Sequence, residues 1–107
     1  MAEVSIDQFT AARADGALVV DVREPAEYVE GHVPGALLVP LGTVPARAGE
    51  LPTNQPVYVI CASGNRSLRA ADYLERVGVD ARSVQGGTKG WIRAGNPVVT
   101  GSHADLS

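Results

Sequence analysis

The feature that most constrains the fold is a short apolar run that leads directly into small and polar residues and then into a helical pattern. Residues 57–60 read V-Y-V-I, and an apolar, β-branched run of this length predicts a buried strand. Cys61 and a polar loop follow, and a helix is expected to begin near Arg66 and to end at Gly78. The apolar face of that helix is expected to consist of Leu68, Ala71, Leu74 and Val77. This segment therefore predicts a strand–loop–helix unit.

Strands and helices also alternate along the rest of the chain. Further strands are expected in four places: at Val4 and within residues 17–22, 36–39 and 80–85. Helices are expected in three places: after Ser5, after Pro25 and around Trp91. Residues 41–51 have a weaker helical pattern, which Pro45 interrupts, and predict a short or broken helix. This alternation predicts an α/β domain with a mainly parallel sheet, in which ligands bind beyond the carboxyl ends of the strands.

Length and composition limit the possible classes of function. With 107 residues, of which 45% are hydrophobic, the chain predicts a single globular domain. Its net charge of -3 argues against nucleic acid as a partner. No apolar run is long enough to cross a membrane, and the first residues lack the pattern of a secretory signal. We therefore expect a cytoplasmic protein with no membrane partner.

Cys61 is the only cysteine in the chain and the candidate nucleophile. A single cysteine excludes an internal disulfide and an all-cysteine zinc site, and we expect neither a metal nor a cofactor. The thiolate is the reactive form of cysteine, and the N–H groups of a loop and of a first helical turn favour negative charge. The alternative is an inert, buried cysteine. The polar, glycine-containing residues 63–67 favour the reactive site.

The residues that follow Cys61 are expected to form a loop that binds an anion. They are Ala62, Ser63, Gly64, Asn65, Arg66 and Ser67. Gly64 is expected to adopt a backbone conformation that other residues avoid. Arg66 either contacts the anion or braces the loop, and the contact with the anion is slightly favoured. Ser67 either forms a hydrogen bond at the start of the helix or contacts the substrate.

Other residues are expected to lie at the same edge of the sheet as this loop. Asp21 and Arg23 flank the end of one predicted strand, and residues 86–87 follow another. Asp21 and Arg23 are expected to form an ion pair that supports the rim of the site rather than to act in catalysis. Glu27 is expected to brace this N-terminal segment by hydrogen bonding. His32 lies in a turn rich in proline and glycine and is expected to be structural rather than a general base.

Four stretches, in this order, resemble the three signatures of single-domain rhodaneses, the thiosulfate or persulfide sulfurtransferases, with the first two forming the N-terminal signature. They are D-V-R-E-P-A-E-Y at 21–28, G-H-V-P-G-A at 31–36, C-A-S-G-N-R-S at 61–67 and G-G-T-K-G-W at 86–91. The resemblance covers about residues 3–98 and leaves residues 99–107 as a loose C-terminal tail. It implies a five-stranded, mostly parallel sheet flanked by helices on both faces.

The resemblance also implies a chemistry, in which Cys61 carries sulfur as a persulfide. The expected donor is a small anion, thiosulfate or a persulfide, and the expected acceptor is a thiol or cyanide, or a protein that receives sulfur. One position departs from the family pattern. Many active members have an arginine directly after the cysteine, whereas this chain has Ala62, so its loop has one cation fewer.

Two other functions remain as alternatives to a sulfurtransferase. The first is a sulfur carrier or regulatory binding module that acts with a partner enzyme. The second is a hydrolase similar to cysteine phosphatases. Four residues separate Cys61 from Arg66, whereas the related phosphatases and arsenate reductases have five. The shorter loop favours a single sulfur atom over a tetrahedral oxyanion as the bound group.

Overall fold

A computed structural model describes residues 2–104, along which strands and helices alternate. The strands are β1 (Ala2–Val4), β2 (Leu18–Asp21), β3 (Leu37–Leu38), β4 (Val57–Ile60) and β5 (Ala81–Val84). The α-helices are α1 (Ile6–Ala14), α2 (Pro25–Glu30), α3 (Val44–Arg47), α4 (Asn65–Arg76) and α5 (Gly87–Arg93). Short 3-10 helices at Leu41–Thr43 and Ala48–Glu50 flank α3, so the predicted broken helix is confirmed.

The strands form one sheet in the order β1-β5-β4-β2-β3, and every neighbouring pair is parallel. This confirms the α/β class and the five-stranded sheet. The register pairs Ile60 of β4 with Asp21 of β2, and Val59 of β4 with Ser83 of β5. The carboxyl ends of three neighbouring strands therefore meet at one edge, with Cys61 following the central one.

Both faces of the sheet are covered by helices. One apolar cluster contains Val57 and Val59 of β4 together with Leu74 of α4, and the other contains Tyr58 and Ile60 of the same strand. Phe9 of α1 and Trp91 of α5 complete the second cluster, with their ring centroids 5.6 Å apart. Because side chains alternate between the two faces of a strand, a continuous apolar run such as β4 is needed where both faces are buried.

Helix α4 differs slightly from its prediction. It begins at Asn65 and buries Ser67, Ala70, Ala71 and Leu74. The prediction that Val77 belongs to the buried face was wrong, because Val77 lies beyond the last helical residue and is 47% exposed. The chain turns there toward β5, with Gly78 at a φ of 94°.

The C-terminal segment makes more contacts than the loose tail expected from residue 99 onwards. Val99 and His32 exchange two backbone hydrogen bonds of 2.9 Å, and the amide of Gly35 donates to the carbonyl of Ala104 at 2.7 Å. Residues 99–104 therefore lie against the turn at 31–35, and residues 105–107 are outside the described part of the chain. Within the described residues, no helix has the length and apolar character that crossing a membrane requires.

His32 is a buried structural residue in this turn. Its Nδ1 lies 2.8 Å from the Tyr28 carbonyl oxygen, and its Nε2 lies 2.8 Å from the carbonyl oxygen of His103. The His32 and Tyr28 rings stack with centroids 3.6 Å apart. Both ring nitrogens thus face backbone carbonyl oxygens, and the ring is fully buried within the turn.

Candidate active site

Cys61 directly follows the central strand β4, and its side chain is buried in the loop that precedes α4. The backbone amide of Gly64 donates a hydrogen bond to Cys61 Sγ over 3.1 Å. Gly64 has a φ of 115°, a conformation that side chains disfavour, which agrees with the expectation for this residue. This turn folds the loop back so that its amides face the sulfur.

Two buried hydroxyl groups lie behind the sulfur. Ser67 Oγ is 3.5 Å from Cys61 Sγ, donates to the Gly64 carbonyl at 3.1 Å, and lies 2.7 Å from Ser83 Oγ. Ser67 is therefore a hydrogen-bonding residue at the helix start, and it also contacts the sulfur. Both serines are fully buried. Ser83 was not predicted from the sequence, because β5 reads A-R-S-V and a serine in so short and mixed a strand is no distinct signal.

Opposing effects determine the acidity of the Cys61 thiol. Burial raises its pKa, whereas hydrogen bonds from the Ser67 hydroxyl and from the amides of Ser67, Gly64 and Ser63 lower it. The hydrogen bonds prevail, and the pKa of Cys61 lies below the ordinary value. The loop therefore stabilises an anionic sulfur through these hydrogen bonds, and the nearby Arg66 interacts with it electrostatically.

The first turn of α5 packs directly on the backbone of this loop. The amide of Thr88 donates to the Cys61 carbonyl at 2.8 Å, and that of Lys89 donates to the Ala62 carbonyl at 3.0 Å. A Cβ atom on Gly87 would lie only 2.5 Å from the Cys61 carbonyl oxygen, and Gly87 has a φ of 58°. Only glycine fits here. The structure thus brings residues 86–87 to the site, as expected, and shows that they support the loop.

Asp21 and Arg23 form a buried ion pair at the end of β2. Arg23 Nη2 lies 2.8 Å from Asp21 Oδ2, and Nε lies 3.0 Å from Oδ1. Arg23 Nη2 also donates to the Gly31 carbonyl at 2.9 Å. The predicted ion pair is therefore present, and it ties the end of β2 to the segment that follows α2.

Arg66 forms a bidentate pair with Glu27 of α2. Its Nη1 and Nη2 atoms lie 2.7 Å and 2.9 Å from the two carboxylate oxygens of Glu27. The hydrogen bond from Arg66 is the main reason that the pKa of Glu27 is lowered to about 2. Glu27 also accepts a hydrogen bond from the Glu24 amide at 3.0 Å. Of the two roles considered for Arg66, the structure shows the bracing one, and the slightly favoured contact with an anion stays a prediction.

An open cavity of about 280 Å³ lies beside the loop, and we call it the Lys89 cavity. Ala62 forms part of its wall, Arg23 and Glu30 come from the side of β2 and α2, and Lys89 and Ile92 come from α5. The side chains of Ser63 and Asn65 are exposed. Within residues 2–104, no three His, Cys, Asp or Glu side chains are grouped so that they could hold a metal ion.

Comparison with known proteins gives the family. Residues 5–94 match the family model for the rhodanese-like domain. A sulfurtransferase of Allochromatium vinosum is 38% identical over 89 residues, which are 82% of this chain and 83% of the relative. The thiosulfate sulfurtransferase GlpE of Pseudomonas entomophila is 37% identical over 89 residues, which are 82% of each protein.

A solved structure shows the same fold. A rhodanese-related protein from Thermoplasma volcanium superposes with a TM-score of 0.88 at 30% identity, over 94% of this chain and 100% of the other. The family match covers most of the chain, and the relatives named above are sulfurtransferases. This chain therefore belongs to the rhodanese-like domain family.

Proposed function

We propose that this protein is a sulfurtransferase in which Cys61 carries a sulfane sulfur, as a persulfide, from a donor to a thiophilic acceptor. The observation that carries the proposal is the position of Cys61 Sγ, which is surrounded by backbone N–H groups and the Ser67 hydroxyl. Such donors stabilise an anionic sulfur before the reaction begins, so little reorganisation is needed during it. The sulfurtransferase relatives support the same chemistry.

In the first half-reaction, the Cys61 thiolate attacks the outer sulfur of the donor. With thiosulfate, the electron pair of Cys61 forms a new S–S bond, and the S–S bond of thiosulfate breaks with its pair on the departing sulfite. The product is Cys61–S–S⁻. The amides of Ser63, Gly64 and Ser67, which lower the pKa of Cys61, are the groups proposed to stabilise its terminal sulfur.

In the second half-reaction, the acceptor removes the outer sulfur. A thiolate or cyanide attacks that sulfur, and the bond between it and Cys61 Sγ breaks with its electron pair on Cys61. The enzyme thiolate is thereby restored. The donors that lower the pKa of Cys61 also make it a better leaving group in this step, because a more acidic thiol leaves faster.

The contacts of Arg66 argue against a phosphatase-like hydrolase. A phosphate would need a free cation in the loop, and both terminal nitrogens of Arg66 are bound to Glu27. The four-residue separation of Cys61 and Arg66 also leaves less room than the longer phosphatase loop. Since a free thiolate persists in a reducing compartment, the cytoplasm is the proposed location.

Intact mass spectrometry tests the proposal. We expect incubation with thiosulfate or a persulfide donor to add one sulfur, about 32 Da, to the wild-type protein and not to Cys61→Ala. Subsequent cyanide should release this sulfur as thiocyanate. Absence of the adduct with every donor would contradict the proposal. A stable adduct that neither cyanide nor thiols remove would instead indicate a carrier, and Cys61-dependent hydrolysis of an aryl phosphate would indicate a phosphatase.

A further inference from the structure

The Lys89 cavity contains charged side chains of two kinds, those already paired and those free. Arg23 is held by Asp21, and Glu27 is held by Arg66. Because each is paired with an opposite charge, Arg23 and Glu27 interact only weakly with the charge of a ligand in the cavity. Glu30 of α2 and Lys89 of α5 also line the cavity and are exposed.

Glu30 and Lys89 have no side-chain hydrogen bond or ion pair with any other residue in the range 2–104. One residue is anionic and the other is cationic, and each comes from a different helix. The cavity thus offers one unpaired charge of each sign. A ligand that carries both charges can satisfy both residues, whereas a dianion meets one attractive charge and one repulsive charge.

The remaining walls of the cavity indicate the size and polarity of the ligand. Ile92, which is 51% exposed, and Val98 provide apolar surface. The volume of about 280 Å³ is at or below the lower limit for drug-sized ligands, so a small molecule is expected. Thr88 lines the cavity too, and its buried hydroxyl has no hydrogen-bond partner among the described residues. The walls therefore suit a short aliphatic chain with polar ends.

Backbone contacts connect the cavity with the loop that contains Cys61. Ala62, which follows Cys61, forms part of the wall, and the amides of Thr88 and Lys89 are hydrogen-bonded to the Cys61 and Ala62 carbonyls. A ligand in the cavity therefore lies beside the loop that would hold the persulfide.

We propose that the Lys89 cavity binds a small zwitterionic thiol of the amino-acid type as the sulfur acceptor, with Lys89 contacting its carboxylate and Glu30 its ammonium group. This inference rests on the proposed sulfurtransferase function. The acceptor thiolate attacks the outer sulfur of Cys61–S–S⁻, and its electron pair forms the new S–S bond. The bond from Cys61 Sγ to that sulfur breaks with its pair on Cys61, which yields the acceptor persulfide and the free enzyme thiolate.

Three thiols of different charge test the acceptor specificity of the protein. L-cysteine carries both charges, 3-mercaptopropionate lacks the ammonium group, and cysteamine lacks the carboxylate. The variants are Lys89→Gln and Glu30→Gln, and Arg93→Gln is the matched control, since Arg93 is an exposed cation of α5 that does not line the cavity. The ratio of kcat/KM between variant and wild type is measured for each thiol, so that the differing intrinsic reactivities of the thiols cancel.

Each variant should affect only the thiols that carry the matching charge. Lys89→Gln should lower kcat/KM about 3-fold for L-cysteine and 3-mercaptopropionate and leave cysteamine unchanged, as expected for one exposed ion pair. Glu30→Gln should lower it about 3-fold for L-cysteine and cysteamine and leave 3-mercaptopropionate unchanged. Equal effects on all three thiols, or effects equal to those of Arg93→Gln, would overturn the inference and leave the sulfurtransferase function intact.

A binding experiment separates the two proposals further, because it requires no sulfur transfer. S-methyl-L-cysteine, which cannot accept sulfur, is titrated into the isotope-labelled protein while amide NMR signals are followed. The inference predicts saturable shifts at Ala62, Lys89 and Ile92 that weaken in Lys89→Gln and Glu30→Gln. Such shifts in a protein whose Cys61 takes up no sulfur would support the binding site and contradict the proposed function. Absence of saturable shifts at these amides would contradict the binding site.

Discussion

At the scale of single residues, the acidity of Cys61 depends on a few hydrogen-bond donors in a buried place. Burial disfavours the thiolate, and the Gly64 amide at 3.1 Å together with the Ser67 hydroxyl at 3.5 Å favours it. Ser83 contacts Ser67, with the two oxygens 2.7 Å apart, and we expect it to act on the sulfur through Ser67. If Ser83 donates to Ser67, the single proton of Ser67 is shared between the Gly64 carbonyl, to which it donates at 3.1 Å, and the thiolate.

We therefore expect Ser67→Ala and Ser83→Ala to raise the pKa of Cys61. A lost hydrogen bond to an anion corresponds to an increase of about 0.5–1 pH unit for Ser67→Ala, and a smaller increase is expected for Ser83→Ala. The rate of alkylation by iodoacetamide is measured against pH, and the midpoint of this curve gives the pKa of Cys61 in each variant. Ser102→Ala serves as the control, because Ser102 is exposed. The double variant should resemble Ser67→Ala alone. If the pKa increase in the double variant equalled the sum of the two single increases, Ser83 would not act through Ser67.

At the scale of elements, helix α5 holds the loop after Cys61 in place. Its first turn has no side chain at position 87, which allows its amides to reach the carbonyls of Cys61 and Ala62. The loop is braced from the other side by Glu27 of α2 through Arg66. Two helices thus position the turn that places amides around the sulfur.

Gly87→Ala should displace the loop, because the new Cβ atom would lie 2.5 Å from the Cys61 carbonyl oxygen. We expect a loss of stability of about 1–3 kcal/mol from the strain at positive φ and the overlap, and a rise in the Cys61 pKa as the amides move away. Urea unfolding and alkylation against pH measure these two effects.

Gly42→Ala provides the matched control for this substitution. No atom lies within 4 Å of the added Cβ at position 42, and Gly42 is not among the glycines with positive φ. Its stability should change by no more than about 1 kcal/mol. A Gly87→Ala protein that matches this control in stability and in thiol acidity would show that the close approach of α5 is unimportant.

At the scale of the whole molecule, the sheet order brings distant residues together at one edge. β4 lies between β2 and β5, so the ion pair of β2, the loop after β4 and the turn after β5 are neighbours. The pair between Glu27 and Arg66 joins residues 39 positions apart in sequence. Because this pair links the two halves of the chain, its loss should lower the free energy of unfolding of the whole protein.

Glu27→Gln should make the stability of the protein less dependent on pH. The folded-state pKa of Glu27 is about 2, below its model-compound value of 4.5, so the stabilisation is present above pH 4.5 and is lost as the pH falls toward 2. Both side chains are about one-third exposed (33% and 36%), and solvent screening limits the effect at pH 7 to about 1 kcal/mol. Urea unfolding of both proteins at pH 7 and pH 3 measures this difference.

The exposed pair between Arg76 and Asp72 supplies the control for this experiment. Asp72→Asn removes a carboxylate from a more exposed pair within one helix, and its effect at pH 7 should be about 0.5 kcal/mol or less. The difference between wild type and Glu27→Gln should shrink at pH 3. An equal difference at both pH values would show that the pair does not stabilise the fold through its charge.

Local patterns predicted most of the helices and strands and the loop that follows Cys61. The apolar run 57–60 indicated a buried strand, and β4 is buried on both faces, which explains its apolar residues at successive positions. The spacing after Cys61 indicated a helix start, and α4 begins one residue earlier than predicted. The helix end was predicted less well, since the position of Val77 depends on where the chain turns back toward β5.

The sequence by itself determined the α/β class, the alternation of strands and helices, and the place of Cys61 at the end of a strand. These features depend on the spacing of apolar residues and on turn residues, which are signals that span only a few positions. Only the tertiary structure decided that Arg66 pairs with Glu27, that Ser83 lies behind Ser67, and that α5 packs on the loop. These contacts join residues far apart along the chain. They depend on the order of strands in the sheet, which no local pattern specifies.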